Sequence, residues 1–346
     1  MAMPRAFAEA QRLLRLDKSR LDDFVEALKK VADVYGPVRK GVQHSFQLLE
    51  DKRPELDYHT TILPPKKLLH EPFEKLFSFE EDRVEVVQSV PKRPQVLLGI
   101  HPCDVHAIEI LDQVYGGEYE DPYYQKRREQ TVIIALNCTT VHDNCFCSSL
   151  GTGPELKSGY DLLMTDLGDQ FLVEVGTPRG AELVAEAGLE PAPRVTLVDK
   201  ERRLSEARNR LRKRLLTQDL DQLLKDNFRH PVWEELRHEC LACGSCTMVC
   251  PTCFCYNTVD VLNLDLKSGW RERVWDSCLL LDYAQVAQGM NFRKDRDARI
   301  KHRVYHKLVY YEPQFGTLGC VGCGRCIDTC IKGIDITEII RELRGE

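Results

Sequence analysis

Two stretches of the sequence have the same cysteine spacing, Cys240-Leu-Ala-Cys243-Gly-Ser-Cys246-Thr-Met-Val-Cys250 and Cys320-Val-Gly-Cys323-Gly-Arg-Cys326-Ile-Asp-Thr-Cys330. Both follow the pattern C-x2-C-x2-C-x3-C, in which the short gaps let three thiolates surround one face of a [4Fe–4S] cluster. In proteins with two such clusters, the fourth cysteine of each run binds the other cluster. The spacing therefore predicts two [4Fe–4S] clusters, one bound by Cys240, Cys243, Cys246 and Cys330, and the other by Cys320, Cys323, Cys326 and Cys250.

Zinc is the alternative metal for these motifs. Structural zinc sites use two C-x2-C pairs with a wider gap between them, four thiolates in all, whereas each run here carries four cysteines at the cluster spacing. Between Cys250 and Cys320 lie 69 residues, which predicts a mainly helical domain with an insertion. Pro251 follows the first run and Ile331 the second, so we expect a different turn beside the second run.

Four further cysteines follow two apolar segments near the middle of the chain. Cys103 comes after the segment 96–100, Cys138 comes after 131–136, and Cys145 and Cys147 lie in the next loop. The carboxyl ends of parallel strands meet at one edge of a sheet, where ligands collect. These four thiols would together supply the ligands of a third [4Fe–4S] cluster. The alternatives are a zinc ion at the same residues and ordinary buried thiols, since cysteine packs as a small apolar residue.

Three cysteines remain, namely Cys253, Cys255 and Cys278. They would hold a further cluster if another group supplied a fourth ligand, and otherwise they pack around the predicted clusters. The chain also carries a basic pair, Lys66-Lys67, directly after Pro64-Pro65. We expect this basic pair to be solvated, or to contact an acidic partner.

Composition limits the class of protein. The chain has 346 residues, of which 43% are hydrophobic and 29% charged, so it has enough apolar residues for two or three folded domains. The formal net charge of −6 argues against a nucleic-acid-binding protein. No apolar run is long enough for a transmembrane helix, and the mixed pattern of residues 1–16 predicts no secretory signal. The 15 cysteines are odd in number and clustered, which favours metal binding in a reducing, cytoplasmic compartment.

The hydrophobic pattern predicts an α+β protein in three parts. Residues 1–198 would form an α/β domain with a mixed sheet, and residues 233–346 the two-cluster ferredoxin-like domain. Residues 199–232 would form a long linking helix, with a narrow apolar stripe made of Leu204, Leu211, Leu215, Leu220 and Leu223. Residues 1–36 have a helical pattern, with Ser19 as a cap and Gly36-Pro37 as the end. Short β-branched runs predict strands at 84–90, 96–100, 131–136, 171–175 and 195–198. Helical patterns lie between some of them, at 103–115 and 178–188.

Motifs for substrate chemistry are missing from the sequence. It contains neither a G-x-G-x-x-G turn nor a G-x-x-x-x-G-K-[ST] loop, so nucleotide binding is unsupported. No nucleophile has a recognisable partner base. The sequence therefore predicts electron-transfer centres and no catalytic residue.

Several motifs outside the cysteine runs resemble those of a known family. They are Leu63-Pro-Pro-Lys-Lys67, His101-Pro-Cys-Asp104, Leu111-Asp-Gln-Val-Tyr115, Cys145-Phe-Cys147, Cys250-Pro-Thr-Cys-Phe-Cys-Tyr256, Trp275-Asp-Ser-Cys278 and Asn291-Phe-Arg293. From about residue 30 onward the chain resembles the iron–sulfur β subunits of cytoplasmic NAD(P)-linked [NiFe] hydrogenases of the sulfhydrogenase type. It is also similar to the related A subunit of anaerobic sulfite reductase.

The resemblance implies a non-catalytic electron-transfer subunit in a heteromeric oxidoreductase. Its partners would be a flavin- and NAD(P)-binding subunit and the small and large hydrogenase subunits. In the sulfite reductase version, a sirohaem subunit would take the place of the hydrogenase. Another flavin-linked complex, either electron-bifurcating or disulfide-reducing, would use the same kind of subunit.

Overall fold

The computed structural model describes residues 13–86 and 91–346. The strands in chain order are β1 Leu13–Asp17, β2 Asp33–Lys40, β3 Gln43–Leu48, β4 Phe73–Glu80, β5 Arg83–Val86, β6 Gln95–Ile100, β7 Thr131–Leu136, β8 Leu162–Asp166, β9 Gln170–Val175, β10 Glu190–Pro191, β11 Tyr256–Leu262 and β12 Ser268–Trp275. The helices are α1 Leu21–Val31, α2 Pro102–Tyr115, α3 Pro122–Glu129, α4 Pro178–Ala187, α5 Thr196–Arg210, α6 Leu220–Asp226, α7 Val232–Glu239, α8 Ser245–Met248, α9 Arg296–Tyr305, α10 Glu312–Phe315, α11 Arg325–Asp328 and α12 Ile336–Arg344.

The larger sheet lies in the N-terminal half and has the strand order β10-β1-β9-β8-β7-β6-β2-β3. Its four central strands, β2, β6, β7 and β8, run parallel, and the outer pairs are antiparallel. Every residue of β6 and β7 is buried, because parallel strands are covered on both faces. The polar residues among them are Gln95 and Thr131, which begin the two strands. The predicted mixed sheet is confirmed, and its central carboxyl ends face the cysteine-rich part of the chain.

A second sheet joins the two halves of the sequence. Its order is β11-β12-β4-β5, so the hairpin β11–β12 pairs with β4 from the N-terminal half. The joint is reinforced by the buried Arg273, which pairs with Glu74 on β4 and with Asp121. The part after residue 233 is mainly helical, as predicted, and the insertion between the two cysteine runs adds this hairpin. Sequence periodicity did not reveal that its pairing partner lies about 190 residues away.

The predicted long linking helix is wrong. Helix α5 ends at Arg210, and the chain is extended at Leu211 before α6 begins at Leu220. Leu211 and Leu215 are nevertheless buried, and the Leu215 amide donates to the Ser149 hydroxyl at 3.0 Å. The apolar spacing is thus satisfied by an extended segment that lies against the protein, because tertiary contacts replace the helical hydrogen bonds.

The N-terminal prediction is also corrected. Residues 1–12 lie outside the described part, 13–17 form β1, and 33–40 form β2, which continues through the expected stop at Gly36-Pro37. Ser19 is not the cap of α1, since α1 follows Arg20 without a side-chain cap. The segment 195–198 belongs to the start of α5 instead of a strand. The predicted strand at 84–90 is present as β5, with 87–90 outside the described residues.

The C-terminal helices enclose a second apolar core. It contains Trp233 of α7, Val304 of α9, Ile340 of α12, and Leu308, which follows α9, and all four are nearly inaccessible to solvent. A π-helical segment, His306–Tyr310, directly follows α9. Among the helices of the described residues, none is long and apolar enough to cross a membrane.

Candidate iron–sulfur sites

One cavity is lined by the cysteines predicted for the first cluster. These are Cys240, Cys243, Cys246 and Cys330, together with Cys326. Gly244 precedes the short helix α8 with a φ of +76°, a backbone conformation that glycine adopts without the strain of a side chain. Cys243 is the exposed member of the set, and its pKa is lowered by a hydrogen bond with the Ser245 hydroxyl. This cavity therefore lies close to the surface.

A second cavity is lined by the cysteines predicted for the second cluster. These are Cys250, Cys320, Cys323 and Cys326. The last cysteine of each run thus lies with the first three of the other run, as the crossed pattern predicts. Cys326 and Arg303 line both cavities, so the two sites adjoin.

A buried cation, Arg303, lies beside the thiols of both cavities. Burial raises the pKa of Cys320 to about 12 and that of Cys246 to about 11. The buried Arg303 acts in the opposite direction on Cys246 and Cys326, since a cation favours the thiolate form. The site therefore combines low solvent access with a cation that suits an anionic group.

The second cysteine run packs against the carboxyl edge of the larger sheet. The Phe146 amide donates to the Gly322 carbonyl at 2.8 Å. A Cβ atom at Gly322 would lie 2.6 Å from the Cys147 amide nitrogen, and one at Gly324 would lie 2.5 Å from the Asn144 carbonyl oxygen. The glycines of this run are thus required for close packing between two parts of the chain.

A buried ion pair ties the same two parts together. Arg325 lies between the second and third cysteines of the second run and donates to both carboxylate oxygens of Asp104 at 2.6 and 2.7 Å. It also donates to the Thr61 carbonyl at 3.0 Å. Sequence reasoning quoted both residues within motifs but missed their pairing. The only sequence signal was a charged residue inside each cysteine-containing motif.

The four N-terminal cysteines are brought near one another at this edge. Cys138 interacts electrostatically with Cys145, Cys147 and, more weakly, with Cys103, and Cys103 in turn interacts with Cys323. Burial raises the pKa of Cys147 to about 12. The strand ends β6 and β7 thus place their thiols where the parallel topology predicted, beside the second cavity.

The remaining three cysteines have side-chain partners of their own. The Cys253 thiol is hydrogen-bonded with Cys250, and the Cys255 thiol is hydrogen-bonded with Cys278 and Tyr283. Lys66 corrects the expectation of a solvated basic loop, because it is only 3% exposed. Its ammonium donates to the Cys253 carbonyl at 2.5 Å. Lys67 is half-buried and donates to the Phe46 carbonyl at 2.8 Å.

The donor sets fit iron–sulfur clusters. Each cavity is lined by the four thiols of one predicted quartet, and four thiolates are the ligands of a [4Fe–4S] cluster. Among the residues that the structure describes, no three His, Cys, Asp or Glu side chains meet at the spacing of a single metal ion.

Comparison with known proteins agrees with the cysteine patterns. Residues 239–334 match the family model described as the 4Fe-4S dicluster domain. The chain is 37% identical over 337 residues to sulfhydrogenase 2 subunit beta of Pyrococcus furiosus, an alignment that covers 96% of this chain and 98% of that protein. No solved structure matches the chain. The resemblance inferred from the motifs is confirmed, and the chain belongs to the family of iron–sulfur β subunits of sulfhydrogenases.

Proposed function

We propose that this chain relays single electrons through [4Fe–4S] clusters between a flavin- and NAD(P)-binding subunit and a [NiFe] hydrogenase module. The observation that carries the proposal is the pair of adjoining cavities, each lined by one predicted quartet of thiols and both bordered by Cys326 and Arg303. A bound cluster supplies one-electron oxidation and reduction. The chain's own residues hold the ligands at fixed positions, exclude water and set the local charge.

The proposed ligands are those of the crossed pattern. Cys240, Cys243, Cys246 and Cys330 hold one cluster, and Cys250, Cys320, Cys323 and Cys326 hold the other. The exposed Cys243 and the neighbouring exposed Leu241 and Ile331 make the first cluster the one nearer to a partner subunit. The second lies between it and the sheet.

The test is the substitution Cys243→Ala in the intact complex. We expect loss of one cluster, about four irons per chain, and loss of hydrogen-dependent nucleotide reduction. Dye reduction by the partner's flavin, driven by NAD(P)H, should remain. The control is Leu264→Ala, which removes an exposed side chain in the turn between β11 and β12 and no thiol. Full hydrogen-dependent nucleotide reduction in the cysteine variant would refute the relay.

We further propose that Cys103, Cys138, Cys145 and Cys147 hold a third [4Fe–4S] cluster. Their mutual interactions at the ends of β6 and β7 support this proposal. The variant Cys138→Ser should contain about four irons fewer per chain than the native protein, measured by iron and sulfide analysis. An unchanged iron content would mean that these residues are ordinary buried thiols.

The partners are proposed from the family of the chain. Anaerobic native purification followed by mass spectrometry should recover a flavoprotein together with small and large [NiFe] subunits. Recovery of a sirohaem protein in place of the hydrogenase subunits would overturn the proposed partner while leaving the ligand assignments intact. A cytoplasmic location is part of the proposal, since it would keep the 15 cysteines reduced.

A further inference from the structure

Two cysteines lie side by side at the base of the hairpin β11–β12. Cys255 directly precedes β11, and Cys278 follows the end of β12 by three residues. The end residues of the two strands, Tyr256 and Trp275, are paired, and the Asp276 amide donates to the Cys255 carbonyl at 3.0 Å. This antiparallel pairing holds the two cysteines on adjacent strand ends, and their thiols are hydrogen-bonded to each other.

The pair is separate from the two cavities of the proposed clusters. Neither Cys255 nor Cys278 lines either cavity, and Cys253 is hydrogen-bonded with Cys250 instead. Both members of the pair are free thiols in the structure. Within residues 13–86 and 91–346, no third His, Cys, Asp or Glu side chain joins them at the spacing of a single metal ion. The two thiols therefore have the arrangement of a reduced dithiol.

The two thiols differ in solvent access and in charge. Cys255 is partly exposed, whereas Cys278 is only 5% exposed. Hydrogen bonds from the Cys278 thiol and the Tyr283 hydroxyl, together with the nearby Lys307 ammonium, lower the pKa of Cys255 to about 6. The same thiol–thiol bond, together with burial, raises the pKa of Cys278. Since the thiolate is the nucleophile, the more accessible cysteine is also the more reactive one.

We propose that Cys255 and Cys278 form a redox-active dithiol that exchanges with low-molecular-weight disulfides. The Cys255 thiolate attacks one sulfur of the small disulfide, so that a mixed disulfide forms and one small thiolate leaves. The Cys278 sulfur then attacks Cys255, which closes the intramolecular disulfide, and the second small thiol leaves with the proton of Cys278. Two protein thiols are oxidised, and one small disulfide is reduced to two thiols. Excess small thiol reverses both steps.

This activity goes beyond the proposed electron relay and does not depend on it. The roles of the two cysteines follow from their surroundings, because a reactive cysteine is accessible, has a low pKa and lies beside a second thiol that resolves the mixed disulfide. Cysteines that only fill space need neither a hydroxyl donor at the sulfur nor a paired thiol. The Tyr283 hydroxyl supplies that donor to Cys255.

The test treats the anaerobically purified complex with hydroxyethyl disulfide, a small uncharged probe. Free thiols are then alkylated during denaturation, and peptides are mapped by mass spectrometry without reduction. We expect a cross-link between Cys255 and Cys278 that excess 2-mercaptoethanol removes, with the iron content unchanged. Absence of this cross-link, or an equal yield of cross-links between other cysteines, would overturn the proposal.

Two cysteine variants separate a dithiol from a metal site. Cys278→Ser should stop at the mixed disulfide on Cys255, and Cys255→Ser should not react at either position. Both variants should keep the native iron content. Loss of iron from either one would show that these cysteines are metal ligands and would refute the dithiol.

A tyrosine variant tests the proposed activation of Cys255. Tyr283→Phe should form the cross-link several-fold more slowly than the native protein near neutral pH, and at the native rate in alkaline solution, where Cys255 is a thiolate in both proteins. The matched control is Tyr119→Phe, which removes an exposed hydroxyl from the loop between α2 and α3 and should leave the rate unchanged. Equal rates for Tyr283→Phe and the native protein near neutral pH would contradict this role of the hydroxyl.

Discussion

Single side chains decide how the N-terminal sheet and the second cysteine run stay together. Arg325 and Asp104 are only 3% and 2% exposed, and they connect residues 221 positions apart. Burial makes such a pair a weak source of net stability, but removal of one partner leaves the other charge uncompensated. The pair therefore acts as a specific link whose loss is costly.

We expect Asp104→Asn to destabilise the folded protein by about 3–5 kcal/mol. Anaerobic chemical denaturation, followed by circular dichroism, measures the change. As a control, Arg202→Gln removes an exposed ion pair with Glu206 and should change stability by about 1 kcal/mol or less. Equal effects of the two substitutions would contradict the proposed difference between buried and exposed pairs.

A buried histidine predicts the acid sensitivity of the fold. Burial, with the nearby Lys66, Arg273 and Arg127, lowers the pKa of His70 to about 2, whereas an unfolded histidine titrates near 6.5. Below about pH 6.5 the imidazole of His70 therefore binds a proton in the unfolded chain and not in the folded chain. The contribution of His70 to the free energy of unfolding is constant above that pH and falls below it.

His70→Phe should make the loss of stability between pH 6.5 and about 4 less steep, by up to about 1.4 kcal/mol per pH unit. Both ring nitrogens of His70 lack a hydrogen-bond partner, so the substitution leaves no donor or acceptor unpaired. Denaturation curves at several pH values test this. The same pH dependence in variant and native protein would show that His70 does not titrate on unfolding.

At the level of elements, the segment between α5 and α6 shows how an apolar stripe can mislead. Its leucines repeat at a helical spacing, and most of them are buried. The backbone is nevertheless extended at Leu211, because contacts such as the bond between the Leu215 amide and Ser149 supply what helical hydrogen bonding would otherwise provide. Periodicity reports which side chains are buried, and an extended segment can bury the same ones.

Two proline substitutions distinguish an extended segment after Leu211 from a continuous helix. Arg212→Pro should cost about 1 kcal/mol or less, because Leu211 already has the extended conformation that a residue before proline prefers. Arg202→Pro, inside α5, should cost about 3 kcal/mol or more. Similar, large losses at both positions in denaturation experiments would support a continuous helix instead.

For the whole molecule, the second sheet means that the two halves do not complete their structures separately. Strand β12 obtains its partner β4 from the N-terminal half, and Arg273 obtains its carboxylate partners there as well. The glycines of the second cysteine run pack on residues 144–147. The cluster sites are thus assembled from both halves of the chain.

We expect the isolated segment 233–346 to be unfolded or to bind fewer than about eight irons, because β12 and Arg273 lose their partners. Iron analysis and circular dichroism measure the outcome. The control is proteolytic cleavage of the full chain at the exposed turn around Leu264, which leaves both halves present and should preserve the clusters. A folded isolated segment with its full complement of iron would contradict the shared architecture.

The sequence by itself determined the mixed parallel sheet and the family and predicted the two cysteine quartets, because ligand spacing and buried strands leave local patterns. Only the tertiary structure decided the extended linker, the shared second sheet, the Arg325–Asp104 pair and the burial of Lys66. These features depend on residues far apart in the chain. A local pattern shows that a leucine is apolar or a lysine charged, whereas its environment is decided by the segment that folds against it.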